Sequence, residues 1–360
     1  MDFFWIEIFW VSFVFCVGAC VGSFINVVVA RLPLEKSLIW PGSRCGSCLQ
    51  SIHGFANLPI FGWLFLRGRC GMCGSRFSSR YMWVELGTAL AFAAMFYFDV
   101  LANGHALDFV RAARGPMGLG FVPWTMWGLF GHHAILFSFL LAAAMCDIDG
   151  RIIPLPLTVT GTLIGLALAV MFPWPWPGTA EMKGDPDTPW FLMGLVGDVP
   201  RGIMNWPFWG PLPAEVPAGS WQLGLVTGLV GAAVGNLMMR AVKFLFEQGM
   251  GKEALGLGDA DLMMMAGAFL GWQMIIIAFF IGTFAALFFA LPMLLLKGER
   301  ALPFGPGLAI GIMMTLLGWR WLAPVVQPFF FEWMTLTFGV VLMGGGMFIA
   351  SLLLGQQHRE

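Results

Sequence analysis

Two short acidic stretches in this chain hold residue types that could perform catalysis at a membrane boundary. The first, MCDIDGRIIP at 145–154, closes a long apolar run with Asp147 and Asp149. The second, GLGDAD at 256–261, places Asp259 directly before another apolar run. Taken singly, a carboxylate at a helix end is more often a helix cap or a solvated boundary residue.

Taken together, the two stretches indicate the chemistry of a carboxylate pair. Two carboxyl groups brought close at a partly desolvated site do not both ionise easily, so one of them keeps its proton. The ionised group can accept a proton from water while the protonated group polarises a peptide carbonyl, which is aspartyl protease chemistry. Gly256 and Gly258 allow the backbone before Asp259 to bend and to approach other groups closely.

Four of the seven cysteines form a second candidate site in one basic loop, as two CxxC pairs. The predicted zinc ligands are Cys45, Cys48, Cys70 and Cys73. Paired CxxC turns supply the four thiolates of a tetrahedral Zn²⁺ site, and a closed four-thiolate site predicts a structural ion. The alternatives are a redox site or two disulfides, but stable disulfides are rare in cytoplasmic loops.

The elements that position these residues are predicted to be membrane helices. Of the 360 residues, 59% are hydrophobic and 11% are charged, whereas soluble domains carry roughly a quarter charged residues. Uncharged apolar runs of about the length that crosses a bilayer are predicted at 8–30, 124–146, 155–172, 221–239, 262–296, 301–319 and 333–355. The shorter run 86–98, flanked by Glu85 and Asp99, is predicted to be a span with polar ends, which gives about eight membrane helices. Because the run 262–296 is too long for one simple span, we expect a short helix entering the membrane, a break at 271–273 and then a full helix.

Charge distribution predicts the orientation of these helices. The loop 31–82 holds seven basic residues and one acid, so the positive-inside rule places it in the cytoplasm. Alternating crossings then place Asp147 and Asp259 on the cytoplasmic side. The Pro- and Trp-rich segment 173–217 is predicted to be an external, irregular loop. The predicted domains are a first transmembrane helix at 1–30, a cytoplasmic four-cysteine zinc-binding domain at 31–82 and a polytopic aspartyl protease membrane domain at 83–360.

In the order and content of its motifs, the chain resembles the type IV prepilin peptidases, which are GxGD-type intramembrane aspartyl proteases of bacteria. The resemblance is carried by GSFINVVVARLP (22–33), the two CxxC pairs, NLPIFGWLFLRGRC (57–70), SSRYMWVEL (78–86), DIDGRIIP (147–154), GLGD (256–259) and LPFGPGLAIG (302–311). It implies that Asp147 and Asp259 are the catalytic pair. Since positions two apart do not share a helix face, Asp149 and Asp261 are predicted to point elsewhere.

Three features depart from the pattern of this family. Asp261 stands where the family usually has lysine, and Leu155 stands where it commonly has aspartate. A nearby lysine would favour an ionised catalytic carboxylate, whereas an aspartate acts in the opposite direction. The segment 173–217 looks like an insertion, and we expect it to lie across the membrane from the catalytic pair.

The resemblance also implies substrates, cofactors and location. The family's substrates are prepilins of type IV pili and pseudopilins of type II secretion, which carry a short basic leader, a glycine at the cleavage point and an apolar helix. Many members also methylate the new N-terminus with S-adenosylmethionine, so this donor is implied here beside structural zinc. The implied location is the bacterial cytoplasmic (inner) membrane with the lipid bilayer as partner, and no nucleic-acid partner is predicted.

Three alternative functions remain open from the sequence. The chain could be a peptidase without methyltransferase activity that acts on another membrane substrate. It could be an ion-coupled transporter that uses membrane carboxylates. It could also be a zinc-stabilised membrane scaffold without catalysis. The sequence names neither the filament or secretion system served nor the oligomeric state.

Other titratable residues have simpler interpretations. His132 and His133 lie within a predicted span, where a packing or polar contact is the first expectation and a proton relay the second. Glu85 and Asp99 flank a span and are interpreted as boundary residues. Glu85 receives more weight because it falls in the stretch SSRYMWVEL.

Overall fold

The structure is a computed structural model, and its regular elements are helical in all the ranges it describes. These ranges are 3–52, 54–113, 120–150, 152–172, 215–217, 219–250, 256–297, 304–330 and 333–357. Nearly all of the predicted external loop at 173–217 lies outside the described residues. Two isolated β-bridges, Arg44–Ser51 and Arg69–Arg76, accompany the helices.

The α-helices are numbered here in chain order. They are α1 Phe3–Arg31, α2 Phe61–Phe65, α3 Arg80–Phe96, α4 Asp108–Ala112, α5 Trp124–Ile148, α6 Leu155–Met171, α7 Trp221–Met250, α8 Leu257–Leu270, α9 Trp272–Lys297, α10 Gly305–Phe330 and α11 Trp333–Gln357. A π-helical turn, Tyr97–Leu101, continues α3.

The prediction of an all-helical membrane protein is confirmed. Five helical segments in the described ranges are long and apolar enough to cross a membrane: Phe4–Leu34, Arg80–Leu101, Trp124–Ile148, Trp221–Gly249 and Gly305–Ala323. Three shorter apolar helices are Leu155–Met171, Trp272–Phe288 and Met334–Ile349. Together they correspond to the eight runs predicted from the sequence.

The long run 262–296 divides as expected. Helix α8 ends at Leu270 and α9 begins at Trp272, with Gly271 between them at φ 77° and ψ 174°. This backbone conformation is accessible to glycine because it has no Cβ. The break therefore falls at the first of the three residues that interrupt the apolar run.

The first of two compact units comprises Met1–Gly104 and Val110–Arg151. Its helix α1 packs along α3 and also contacts α5. Gly18 and Gly22 form a GxxxG pattern on α1. A Cβ built on Gly22 would lie 2.8 Å from Glu85 Cα, and one built on Gly18 would lie 2.9 Å from Ala89 Cα. Small residues thus allow α1 and α3 to approach backbone to backbone, as in many membrane helix pairs.

Substitution Gly22→Val is expected to destabilise the first unit. The added side chain would overlap the α3 backbone, and overpacking of this kind costs about 1–3 kcal/mol. Thermal unfolding of the purified protein in detergent would measure the loss. Gly87→Val is the matched control, because a Cβ at Gly87 meets no atom within 4 Å. An equal loss of stability in both variants would contradict the packing explanation.

The second unit comprises His105–Phe109 and Ile152–Glu360. Helix α8 lies at its centre and is contacted by α6, α7, α9 and α10. Helices α7 and α8 cross closely. A Cβ built on Gly231 would overlap the Gly267 carbonyl oxygen, and a Cβ built on Gly267 would overlap the Gly231 carbonyl oxygen. On the same face of α7, a Cβ on Gly235 would overlap the Met263 carbonyl oxygen. These glycines fix the position of α8, the helix that carries Asp259.

Candidate catalytic and zinc sites

Asp147 occupies the last turn of α5 in the first unit. The helix ends at Ile148, and the Gly150 N–H donates to the Asp147 carbonyl oxygen at 2.9 Å. Gly150 has φ 66°, the left-handed conformation that ends many helices at glycine. The Asp147 side chain is half-buried. The turn thus holds this carboxyl group at a fixed helix end.

Asp149 is engaged by a different part of the first unit. Its Oδ1 lies 2.6 Å from Nη1 of Arg80, the first residue of α3. The Arg80 side chain is 44% exposed, so this ion pair contributes little to stability. The contact gives Asp149 a structural partner of its own. The assignment of catalysis to Asp147 rather than Asp149 stays a prediction.

Asp259 lies in the first turn of α8 in the second unit and is only 8% exposed. Gly256 occupies the N-cap position with an extended backbone, φ −70° and ψ 147°. The free backbone N–H groups of a first helical turn stabilise negative charge close to them. The location therefore provides a buried carboxyl group with a local source of anion stabilisation.

Gly258 brings the GLGD motif against the end of the first aspartate motif. A Cβ built on Gly258 would lie 3.1 Å from Cβ of Ile153, which is 6% exposed. Both residues belong to the second unit, so parts of the two acidic stretches meet there. Asp147 itself belongs to the first unit, and its pairing with Asp259 stays a prediction.

Substitution Gly258→Ala is expected to slow substrate cleavage by roughly 10- to 100-fold, because small displacements of a catalytic group have effects of this size. The new methyl group would push against Ile153 and move the turn before Asp259. Gly256→Ala is the comparison, since its Cβ would have no neighbour closer than 3.9 Å. Cleavage rates of the two variants, measured side by side, should therefore differ. Equal rates would refute the steric role of Gly258.

Asp261 has a basic neighbour that sequence reasoning did not identify. Burial raises the pKa of the Asp261 carboxyl group above its ordinary value, and the guanidinium of Arg240 on α7 offsets only part of that rise. Arg240 is held by Asn236 of the same helix, whose Oδ1 accepts a hydrogen bond from Arg240 Nε at 2.7 Å. Where the family pattern places a lysine, this chain therefore has a partly buried carboxyl group whose charge is only partly compensated by Arg240 of α7.

The four loop cysteines converge as predicted. Their sulfur atoms all lie within 4.8 Å of one another. The Sγ atoms of Cys45 and Cys73 are 3.8 Å apart. Two sulfurs on a tetrahedral Zn²⁺ with Zn–S distances of about 2.3 Å would be separated by about 3.8 Å. The cluster therefore fits a zinc ion in both donor type and spacing.

The two CxxC turns repeat one backbone structure. In each turn, the N–H of the first cysteine, Cys45 or Cys70, donates to the carbonyl oxygen five residues later, at 3.0 and 2.8 Å. The residue after the second cysteine has positive φ in both turns, 58° at Leu49 and 72° at Gly74. This repeated turn presents both sulfurs of each pair on one side, so the two turns can close over a single ion.

The protons of the cluster are shared unequally. The Ser75 hydroxyl lowers the pKa of Cys45 to about 5, assisted by backbone N–H groups of its own CxxC turn. Ser75 lowers the pKa of Cys73 as well. The Gln50 backbone lowers the pKa of Cys48, but burial and hydrogen bonds to the other three thiols raise it to about 11. The Cys45 thiolate is thus favoured beside a protonated Cys48 thiol, and a divalent cation would displace the remaining protons of the cluster.

Two family models match regions that contain the four-cysteine cluster and the GLGD motif, whereas Asp147 lies outside both matched regions. The model described as the bacterial peptidase A24 N-terminal domain matches residues 16–98, which include the zinc cluster and Glu85. The model of the type IV leader peptidase family matches residues 198–291, which include the GLGD motif. This chain belongs to the type IV leader peptidase family.

Curated relatives of this leader peptidase share the name prepilin leader peptidase/N-methyltransferase. The relative from Myxococcus xanthus is 32% identical over 261 residues, 72% of this chain and 56% of that protein. The relative from Dichelobacter nodosus is 27% identical over 336 residues, 85% of this chain and 91% of that protein. The relative from Pectobacterium carotovorum is 29% identical over 328 residues, 84% of this chain and 91% of that protein. The chain therefore spans little more than half of the Myxococcus relative, and no solved structure matches it.

Asp99 and His133 form a buried contact that the sequence did not reveal. His133 Nδ1 on α5 lies 2.8 Å from Asp99 Oδ2 in the π-helical turn, and both side chains are fully buried. The expectation of a polar contact for His133 is confirmed. Asp99 lies in the last turn of the span Arg80–Leu101, where a boundary residue is expected, but its carboxylate is buried rather than directed toward solvent. The two residues are 34 positions apart, so no local pattern could pair them.

Proposed function

We propose that this protein is an inner-membrane aspartic endopeptidase that removes the short basic leader from type IV prepilins or type II secretion pseudopilins, and that it also N-methylates the new N-terminus. The observation that best supports this proposal is the match of residues 198–291 to the type IV leader peptidase family. The matched region contains the GLGD motif, whose Asp259 is buried at the start of a helix. The shared name of the curated relatives supports both activities. The match over 16–98 covers the loop that holds the four cysteines.

The proposed cleavage reaction uses Asp147 and Asp259 as a pair with one proton. The ionised carboxylate removes a proton from water, and the water oxygen attacks the carbonyl carbon at the leader junction. The protonated partner gives its proton to the carbonyl oxygen. When the tetrahedral intermediate collapses, one hydroxyl returns a proton to the ionised carboxylate, the C–N bond breaks and the departing nitrogen takes a proton from the other carboxyl group. The pair is thereby restored.

The predicted topology fits the substrates proposed. A basic leader stays in the cytoplasm while the apolar helix behind it enters the bilayer. Their junction would therefore lie at the cytoplasmic boundary, which is where the topology predicted from the sequence puts Asp147 and Asp259. Each aspartate stands at a helix end, which is the position that such a boundary site requires.

The zinc cluster has a structural part in this proposal. Cys45, Cys48, Cys70 and Cys73 would hold Zn²⁺, which stabilises a loop that has little apolar core of its own. Ile60 and Trp63 of the loop pack against α1 and α3 through Ala19, Met82 and Ala89. The ion and this small apolar contact together would fix the loop against the membrane helices.

The test is a reconstitution with purified protein and a full-length prepilin in detergent micelles. Mass spectrometry should show a leaderless product without S-adenosylmethionine, and a leaderless product with one added methyl group when the donor is present. Cleavage without methyl transfer would support the peptidase-only alternative. An intact prepilin, under conditions in which one of the curated relatives cleaves it, would contradict the proposal and leave the transporter or scaffold alternatives.

A further inference from the structure

The segment FANLPIFGWLFL at 55–66 lies between the two CxxC pairs of the zinc-binding loop. It supplies neither a zinc ligand nor a group for the proposed cleavage reaction. We propose that this segment, built around the short helix α2, is an interfacial anchor that inserts an apolar face into the phospholipids of the leaflet predicted to face the cytoplasm. This anchoring role is separate from the proposed catalysis and does not depend on it.

Three apolar side chains share one exposed face of α2. Phe61, Leu64 and Phe65 stand at positions i, i+3 and i+4, which lie on one side of a helix. Their side chains are 53%, 50% and 74% exposed. The rings of Phe61 and Phe65 stack with their centroids 6.3 Å apart, so the face presents a continuous apolar surface. An apolar surface of this kind indicates contact with another apolar partner.

The opposite side of α2 is attached to the membrane helices of the first unit. Trp63 packs against an apolar cluster that joins Ile60 to Ala19 of α1 and to Met82 and Ala89 of α3. The same side also lines a cavity of about 560 Å³ between α1, the zinc-binding loop and the start of α3. Helix α2 is therefore apolar on both sides, a pattern typical of helices that lie in a protein core or in a membrane.

The point of attachment sets the depth of α2. The Ile60 backbone N–H donates to Glu85 Oε2 at 2.7 Å. Glu85 lies about 7.5 Å along α3 from Arg80, the first residue of that helix. The predicted apolar run 86–98 begins at the next residue. Interfacial helices bury their apolar face about 5–10 Å into the boundary between headgroups and acyl chains, so α2 is held at the level where such a helix meets lipid.

Basic side chains beside α2 favour an anionic lipid surface as the partner. Arg67 and Arg69 follow the helix directly and are exposed. An antiparallel β-bridge places Arg69 opposite Arg76, which is also exposed, and like charges directly opposite each other repel. Among the described residues, no acid forms an ion pair with these three arginines. The phosphates of anionic lipids would supply the missing negative charge.

Two other occupants of this face fit the charges less well. The apolar helix of a prepilin would cover the three apolar side chains, but its basic leader would then approach Arg67, Arg69 and Arg76 and be repelled. A second copy of this chain would bring the same arginines toward one another across a symmetric contact. A phospholipid satisfies both parts of the surface, because its acyl chains cover the aromatic face while its phosphate meets the guanidinium groups.

The first test replaces Phe65 by the photoreactive p-benzoylphenylalanine in full-length protein, in nanodiscs that contain phosphatidylglycerol. Irradiation should add the mass of one phospholipid to the intact protein, measured by mass spectrometry. The same replacement of Leu90, an exposed residue within the span Arg80–Leu101, is the positive control. A lipid adduct at Leu90 without one at Phe65 would overturn the proposal. Adducts at Phe65 to a second chain, or to added prepilin, in place of lipid would also overturn it.

The second test measures hydrogen–deuterium exchange of the amides at 61–69, whose hydrogen bonds break when the segment opens. Phe61→Ser combined with Phe65→Ser should raise their exchange at least about tenfold, because two aromatic side chains lose their contact with lipid. Ile39→Ser is the matched control, since Ile39 is an exposed apolar residue of the same loop outside the segment. This control should exchange as the wild type does.

The arginines are tested by the same measurement in two lipids. Arg67→Gln combined with Arg69→Gln should raise exchange about fivefold in nanodiscs with phosphatidylglycerol and much less in pure phosphatidylcholine. Wild-type exchange in the double serine variant, or an equal response of the double glutamine variant in both lipids, would overturn the proposal. Zinc content is measured on every variant and should match the wild type. If a variant loses its zinc, the crosslinking result at Phe65 decides the assignment.

Discussion

Replacement of Asp147 or Asp259 by asparagine is expected to lower leader cleavage by roughly 10³-fold or more, since each change removes one half of the acid–base pair. Asparagine preserves size and hydrogen bonding but neither takes nor gives the required proton. Co-expression of each variant with a prepilin, followed by a gel assay of leader removal, would detect the loss. Purified enzyme and a rate measurement would give its magnitude.

The neighbouring aspartates provide matched controls for this experiment. Asp149→Asn removes the ion pair with Arg80, and Asp261→Asn removes the carboxylate near Arg240. Both changes should leave most of the cleavage activity, because exposed or partly exposed pairs contribute little energy. Strong loss at Asp149 with normal cleavage at Asp147 would show that the first motif acts through the other carboxylate. Normal cleavage in both Asp147→Asn and Asp259→Asn would refute the carboxylate-pair mechanism.

Substitution Cys45→Ser is expected to abolish zinc binding and to unfold the zinc-binding loop. Binding of structural Zn²⁺ contributes about 10–16 kcal/mol to the folding of small zinc domains. A hydroxyl replaces one of four thiolates poorly, so bound zinc should fall from about one ion per chain to near zero. Inductively coupled plasma mass spectrometry gives the zinc content, and limited proteolysis within 31–82 reports the unfolding.

Cys16→Ser is the control for the zinc experiment. Cys16 lies on α1, is exposed and is not part of the cluster. Its substitution should leave both the zinc content and the protease resistance of the loop unchanged. Wild-type protein that contains no zinc and carries oxidised CxxC pairs would contradict the metal site and favour the redox alternative.

The convergence of the four cysteines could be predicted because its signal is local, whereas the bound zinc stays a prediction. A CxxC pair makes a turn that depends on few residues, and the two turns proved to have the same backbone. The approach of the two turns to one another depends on the tertiary fold. Four thiolates that bind one tetrahedral ion nevertheless allow few arrangements of the two turns. The membrane helices could be predicted for a similar reason, since hydropathy is also a property of continuous sequence.

Helix ends were less accessible to sequence reasoning. The predicted span at 221–239 is part of α7, which continues to Met250. The extension carries charged residues, among them Lys243 and Glu247, which pair one turn apart at 3.3 Å. A search for apolar runs stops at the first charge, whereas a helix continues as long as its backbone hydrogen bonds and side-chain pairs support it.

Interactions between distant segments could not be predicted at all. The contact between Asp99 and His133 joins α5 to a π turn, and no single-sequence pattern marks that turn. The cavity beside the zinc cluster combines α1, α3 and the loop between them, so its lining exists only in the folded unit. The same limit applies to Arg240, which reaches Asp261 from another helix.

The break at Gly271 separates the helix that positions Asp259, α8, from the long apolar helix that follows it, α9. Helix α8 has 14 residues and a length of about 21 Å, shorter than the hydrocarbon core of about 30 Å. One residue inserted into α8 would turn Asp259 about 100° around the helix axis relative to the rest of the helix. One residue inserted into α9 would change only the part of the chain after Gly271 and would leave the direction of Asp259 unchanged. Helix α9 can therefore lengthen or shorten to match bilayers of different thickness while α8 keeps the carboxylate in a constant direction.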